Sequence, residues 1–345
     1  MTIKRKRTRV NTELKDLGKL AHKLRKEGKY DQALEKYFQT LKLDPNNVYA
    51  LVGIGDLKRI VKQFEEAVRY YEKCLVIEKS NIYALAGLGD AYRGLGNLDK
   101  ALDTWMRYLS FKPNDYKVLT RIGDGFRKKG DLKTSKIYYL MALEENSYDK
   151  YALMGLGGIC AKEGNDEEAL QYFEKLIGIS AGSMVTLTSA ANIYRKQGLF
   201  EKAKLLYERA LAMDTRNSHA WNGKADCLRG MKQYDPAIKA WKTALKYGMN
   251  QRICLTRIGD SYVNLNNHKQ AEESYKNALA HGYYKYAYLG MIKVHAMRNN
   301  IDRALEIYSM LEEKEPDDVR IIHESRRFME KYVQVKGGRF KKGSN

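Results

Sequence analysis

Residues 83–115 read YALAGLGDAYRGLGNLDKALDTWMRYLSFKPND. Gly96 divides the stretch into two amphipathic helical segments, and Pro113 closes it. Gly89 and Ala101 lie twelve residues apart, one on each segment. Two antiparallel helices that cross closely need small residues where their backbones meet, and this pair supplies them. Trp105 follows Ala101 by four residues, one turn on along the same helix face, and can fill the gap beside the crossing.

The same three positions recur through the chain. The Ala101 position repeats at intervals of 34 residues as Ala33, Ala67, Ser135, Ala169, Ala203, Ala237 and Ala271, and a step of 33 reaches Ala304. Twelve residues ahead runs Ala21, Gly55, Gly89, Gly123, Gly157, Ala191, Ala225 and Gly259. Four residues behind runs Tyr37, Tyr71, Trp105, Tyr139, Phe173, Tyr207, Trp241, Tyr275 and Tyr308. One hairpin cannot bury its apolar face alone, but a stack of hairpins can.

The breakers keep the same register. Gly28, Gly96, Gly130, Gly164 and Gly198 fall between first and second helices, with Asp99, Asp131, Asp166 and Asp235 as expected helix caps. Pro45, Pro113 and Pro316 fall between repeats, and Pro236 opens a second helix, where its missing N–H costs nothing. Two departures stand out. Ile292 occupies a place that calls for Gly or Ala, which predicts a less close ninth crossing; residues 178–183, GISAGS, are poor in helix formers and predict a looser joint.

In phase over residues 14–317, the pattern resembles the tetratricopeptide repeat family, with TLTSAANIYRKQGLFEKAKLLYERALAMD from Thr186 as a second good example. The resemblance implies an all-α fold: a right-handed superhelical solenoid of about nine helical hairpins, its first helices lining the inner surface. Residues 1–13 then form a basic N-terminal tail and residues 318–334 a capping helix, with Val319, Ile322, Phe328 and Tyr332 as its covering face. Residues 335–345 read as a basic disordered tail.

The resemblance also implies an inner surface built from the second, fifth, ninth, twelfth and thirteenth positions of each repeat. Tyr49, Tyr83 and Tyr151 take the second position. Asp56, Asp90, Asp124, Asp226 and Asp260 take the ninth, and Arg59, Arg93, Arg127, Arg195 and Arg229 the twelfth. Asp and Arg three apart face each other on a helix, so the groove is expected to carry a ladder of alternating charge. The fifth position is milder, from Val52 and Ala86 to Asn222 and Thr256, and leaves room for a ligand segment. A family variant that grips a C-terminal carboxylate uses Asn where this chain has Asp, so that mode is not expected here.

Composition bounds the remaining readings. Only 4 residues are Pro against 26 Tyr, and 44% are hydrophobic, which disfavours disorder. The formal charge is +20, with Lys4, Arg5, Lys6, Arg7 and Arg9 at one end and Lys336, Arg339, Lys341 and Lys342 at the other. A basic balance favours acidic partners: proteins first, with nucleic acid or an anionic membrane surface as weak contacts of the tails. No apolar run reaches the roughly 18–20 residues of a membrane span, and no secretion signal is read. The 4 Cys form no CxxC pair, which points to a reducing cytoplasm, with work beside a membrane complex left open. The 6 His form no HExxH, no phosphate loop is present, and Cys160 sits at an apolar repeat position. The expectation is a non-enzymatic scaffold or adaptor without cofactor or metal. Binding of RNA or another polyanion is the alternative.

Overall fold

The computed structural model describes the backbone of residues 2–180 and 182–339, and the side chains of residues 12–179 and 182–332. All regular structure among them is helical. The chain divides into two compact units.

The first unit, Met1–Tyr172, holds α1 (Thr2–Lys26), α2 (Tyr30–Leu43), α3 (Val48–Ile60), α4 (Phe64–Ile77), α5 (Ile82–Gly94), α6 (Leu98–Leu109), α7 (Tyr116–Lys129), α8 (Leu132–Glu145), α9 (Lys150–Glu163) and the start of α10 (Asp166–Ser180). The second, Phe173–Asn345, holds the rest of α10 and α11 (Met184–Lys196), α12 (Phe200–Met213), α13 (Ser218–Gly230), α14 (Tyr234–Lys246), α15 (Gln251–Asn264), α16 (His268–Leu279), α17 (Lys285–Met297), α18 (Ile301–Lys314) and α19 (Val319–Arg339). In the first unit α1 packs on α2, α3 on α4, α5 on α6 and α7 on α8. In the second, α11 packs on α12, α13 on α14, α15 on α16 and α17 on α18.

The repeating aromatic is the centre of each packing unit. Tyr71 is fully buried between two glycines. A Cβ on Gly55, in its own hairpin, would lie 2.7 Å from the ring, and one on Gly87, in the next, only 2.3 Å. Tyr139 sits in the same way between Gly123 and Gly155, and Tyr275 between Gly259 and Gly290. The small residues therefore serve two contacts, one within a hairpin and one between hairpins. Gly290 keeps the second of these in the ninth repeat, while Ile292 is buried in its core.

The turn register holds even where glycine is lost. Gly28, Gly96, Gly130, Gly164 and Gly198 have positive φ, and Lys62, Lys232, Asn266 and Asn299 adopt the same left-handed conformation in the remaining repeats. The hairpin turn demands that backbone; stacking holds Lys62 and Lys232 there at about 1–2 kcal/mol each.

The helix caps differ in part from expectation. Asp131 caps α8 by accepting from the Thr134 N–H. Asn97 caps α6 and the Asn165 side chain accepts from the Glu168 N–H. Asp99, Asp166 and Asp235 instead lie in the first helical turn, where a negative charge still favours the helix dipole. First helices are capped by a separate series: Asn47, Asn81, Asp115, Asp149, Ser183 and Asn217. At the joint within residues 178–183, α10 runs to Ser180 and Ser183 caps α11; residue 181 lies outside the described residues.

Both ends are more helical than the sequence reading allowed. α1 begins at Thr2, so residues 2–13 continue the first helix, and α19 runs past 334 to Arg339. Extending an existing helix adds one hydrogen bond per residue fixed, without the cost of a new nucleus. Residues 340–345 lie outside the described residues. The covering face of α19 is also shifted. Ile321 and Ser325 are buried and Phe328 packs on Tyr308, at the i, i+4, i+7 spacing of one face. Val319 and Ile322 face outward.

The four cysteines are free and buried. Burial pushes the Cys74, Cys160 and Cys254 thiols up to about 11 and Cys227 up to about 12. A thiol raised this far is neutral at pH 8. The native chain should therefore react with a disulfide reagent at pH 8 at least about a hundredfold more slowly than a free thiol. All four should react in denaturant; fast native labelling would show that the hairpins open readily.

A candidate partner-binding face

The first helices of neighbouring hairpins lie side by side within each unit, α3 against α1 and α5, and α11 against α13. This places the expected second, ninth and twelfth positions on shared faces. The tyrosines of the second position are open: Tyr83 is 71%, Tyr151 65% and Tyr49 49% exposed. Tyr49 leans edge-on against the buried Tyr37, which orients it without covering it. Tyr49, Val52 and Tyr83 line a cleft of about 850 Å³ in the first unit, together with Lys15, Lys19, Arg25 and Asp56.

The charged positions behave differently. The expected pairs three residues apart form at Asp56–Arg59 (3.8 Å), Asp90–Arg93 (3.4 Å), Asp124–Arg127 (3.2 Å) and Asp226–Arg229 (3.5 Å). Each acid also serves contacts that no local spacing reveals. Arg25 reaches from the preceding hairpin to Asp56 at 2.6 Å, Arg59 to Asp90 at 3.6 Å and Arg195 to Asp226 at 3.4 Å. The buried tyrosine of the same repeat donates its hydroxyl to the acid: Tyr71 to Asp56 at 2.8 Å, Tyr139 to Asp124 at 2.6 Å and Tyr275 to Asp260 at 2.7 Å. Burial, reinforced by Asp56, raises the Tyr71 hydroxyl well above its ordinary value, so it stays a donor. Asp90 and Asp226 are only 8% and 5% exposed. Asp90 and Asp226 are thus internal struts between core and face, whereas Asp56 and Asp124 stay part-exposed beside their arginines.

The ladder is not continuous. Gly158 and Ala161 occupy its two positions in the fifth repeat, and Val263 stands where an arginine beside Asp260 would be. Among the described residues, Asp260 forms no ion pair.

Sequence reasoning missed Arg121 and Arg257, at the sixth position of their repeats. That position is Gly53, Gly87, Gly155, Gly223 or Gly290 wherever the preceding hairpin carries a buried Tyr, whose ring would meet a Cβ there. The two arginines follow the two hairpins that carry Trp105 and Trp241. An indole has no hydroxyl to reach across, and the long side chain turns instead to the acid: Arg121 to Asp90 at 3.5 Å and Arg257 to Asp226 at 3.0 Å. The pairing of Trp with a later Arg was visible in the sequence, but its meaning was not.

Among the described residues, no group of three or more His, Cys, Asp or Glu is placed to hold a metal ion. No described helix is long and apolar enough to cross a membrane.

Known proteins match this arrangement in fold. A solved tetratricopeptide repeat protein from Parabacteroides merdae shares 18% identity with the chain, over 72% of it and 99% of that protein, with a TM-score of 0.51. The C-terminal part of a TPR repeat-containing protein from Cytophaga hutchinsonii shares 17% identity over 70% of this chain and 99% of its own length, at a TM-score of 0.58. No curated protein matches the sequence. A family profile described as tetratricopeptide repeat matches residues 120–183, 188–248 and 256–319; related profiles match 21–58, 48–81 and 82–115. With more than half of its length matched by one profile, and with the hairpin stacking to go with it, the chain belongs to the tetratricopeptide repeat family.

Proposed function

We propose that this chain is a non-enzymatic scaffold or adaptor that captures a helical or extended segment of a partner protein on the first-helix face of its first unit. The tetratricopeptide fold is generally a platform for protein–protein interaction, and its members are generally non-enzymatic scaffolds. The observation that carries the specific reading is the pair of exposed tyrosines, Tyr49 and Tyr83, that line a preformed cleft with Val52. Tyrosine offers large, stiff contact area with a polar tip. The Asp–Arg–Tyr struts beneath hold this surface in shape before a partner arrives, which lowers the ordering cost of binding.

The polyanion reading is less favoured, because the part-exposed Asp56 and Asp124 lie along the face that a phosphate chain would have to follow. Buried, unpaired thiols suit a reducing compartment, and we place the protein in the cytoplasm.

The test is partner capture from native lysate under nuclease, comparing the wild-type chain with a Tyr49→Ala, Tyr83→Ala double variant. Loss of two aromatic anchors should weaken capture by about a hundredfold with helicity unchanged. Capture that vanishes with nuclease, or survives both substitutions, would sink the reading.

A further inference from the structure

Two clusters in the chain are built alike around one buried carboxylate. In the third repeat Arg59, Arg93 and Arg121 surround Asp90, and Arg93 lies over the Trp105 ring. In the seventh, Arg195, Arg229 and Arg257 surround Asp226, and Arg229 lies over the Trp241 ring. Each lies wholly within one unit. Each sets three guanidiniums around one carboxylate, and Arg59 is shared with Asp56 at 3.8 Å, where Arg195 has Asn192 at the corresponding place.

The fifth position separates them. In the seventh repeat it is Asn222, whose carbonyl oxygen accepts from Trp241 Nε1 at 3.2 Å and from Arg257 Nη1 at 2.8 Å. In the third it is Ala86, which has no side-chain acceptor. Trp105 is fully buried, and its Nε1 has no partner among the described residues. Arg59, Arg93 and Arg121 approach Asp90 at 3.4–3.6 Å, longer than the roughly 2.7–2.9 Å of a charge-assisted hydrogen bond. Where the seventh repeat supplies its own acceptor oxygen, the third leaves the buried indole N–H unpartnered, and Arg93 and Arg121 stand beside an Asp90 Oδ1 that they do not hydrogen-bond.

We infer that the third-repeat cluster is a recognition site for one carboxylate of an acidic peptide segment, a side-chain Asp or Glu of the partner, and that Asn222 closes the equivalent place in the seventh repeat. The inference deepens the proposed scaffold role and rests on it. With Arg59 shared with Asp56, Arg93 and Arg121 beside the single Asp90 leave a local excess that suits one negative charge. Asp56 and Asp124 in the flanking repeats disfavour a run of phosphates. Tyr83 lies two turns before Asp90 on α5, about 10 Å away, so a segment that puts an apolar residue in the Tyr49–Tyr83 cleft can bring an acid to the arginines a few residues on.

The experiment uses the full chain and three fluorescein-labelled probes in anisotropy titrations: a Leu- and Glu-containing decapeptide, the same peptide with Gln for Glu, and a ten-base single-stranded oligonucleotide. The Glu peptide should bind at least about tenfold tighter than the Gln peptide. Ala86→Asn supplies the internal acceptor and should remove that preference without lowering the melting temperature. Arg121→Gln should weaken Glu-peptide binding about tenfold and leave Gln-peptide binding unchanged. Asn222→Ala should add a second Glu-dependent binding event. Equal binding of the two peptides, an Ala86→Asn variant that keeps the preference, or tighter binding of the oligonucleotide would each overturn the carboxylate site. If the peptides bind alike but both need Tyr83, the acid site falls and the scaffold reading stands. If neither binds and partner capture ignores Tyr49 and Tyr83, both fall.

Discussion

Gly87→Val should destabilise the first unit by about 3 kcal/mol, the upper end of the range for overpacking. A Cβ at this position would lie 2.3 Å from the Tyr71 ring, and the ring has nowhere to go. Its other face is against Gly55, and its hydroxyl is tied to Asp56 at 2.8 Å and approached by Arg59 Nε at 3.4 Å. Either the ring leaves its place and breaks the strut, or the second and third hairpins separate. Gly158→Ala is the control. It also replaces a helical glycine, but an added Cβ meets nothing within 4 Å, so the gain in helix propensity of about 0.5–1 kcal/mol should appear unopposed. In a solenoid each hairpin draws its stability from its neighbours, so the Gly87 loss should be local. Hydrogen exchange should show protection falling in α3 to α6 and little altered in α11 to α18. A Gly87→Val chain with an unchanged denaturation midpoint would show that the Tyr71 ring is not wedged as described.

Trp241→Ala should cost the second unit about 3–5 kcal/mol. The indole is fully buried, packs in the core with Ala225, Ile238 and Ile258, and donates to Asn222. Its removal leaves a cavity at the junction of two hairpins. The chain's own pattern offers a milder exchange. Wherever the central aromatic is Tyr, the sixth position of the next repeat is Gly, as in Tyr71 with Gly87; after Trp241 it is Arg257. Trp241→Tyr alone should lose stability, because the new hydroxyl meets a position built for an arginine. Adding Arg257→Gly should recover at least about 1 kcal/mol, since the hydroxyl can then reach the neighbouring acid as Tyr71 reaches Asp56. Strict additivity of the two substitutions in urea denaturation would show that Trp and Arg are paired by coincidence.

The sequence by itself determined the hairpin stack. Small residues at fixed intervals, an aromatic one turn beyond and glycine at the turn have one economical solution. Positions two, nine and twelve come from the family resemblance, and Tyr49, Tyr83 and Tyr151 at the second are solvent-exposed. Asp90 with Arg93 was legible because three residues along a helix is a local distance.

The tertiary structure decided which of those residues are free to act. Arg25 meets Asp56 across 31 residues because hairpins stack, and Tyr71 meets Asp56 across 15 because the two helices of one hairpin cross. A period in sequence states that Asp recurs; it does not state that a neighbouring hairpin already claims the carboxylate. The register of α19 was hidden for the same reason. Ile321 and Ile322 are equally apolar, and only the surface beneath selects Ile321 for burial. The difference between Ala86 and Asn222 is one side chain in a variable position, and it gains meaning only when an indole N–H and an arginine from the next hairpin converge on it. Local spacing writes the helices and their faces; the stacking of one hairpin on the next decides which charges are spent inside the protein and which are left at its surface.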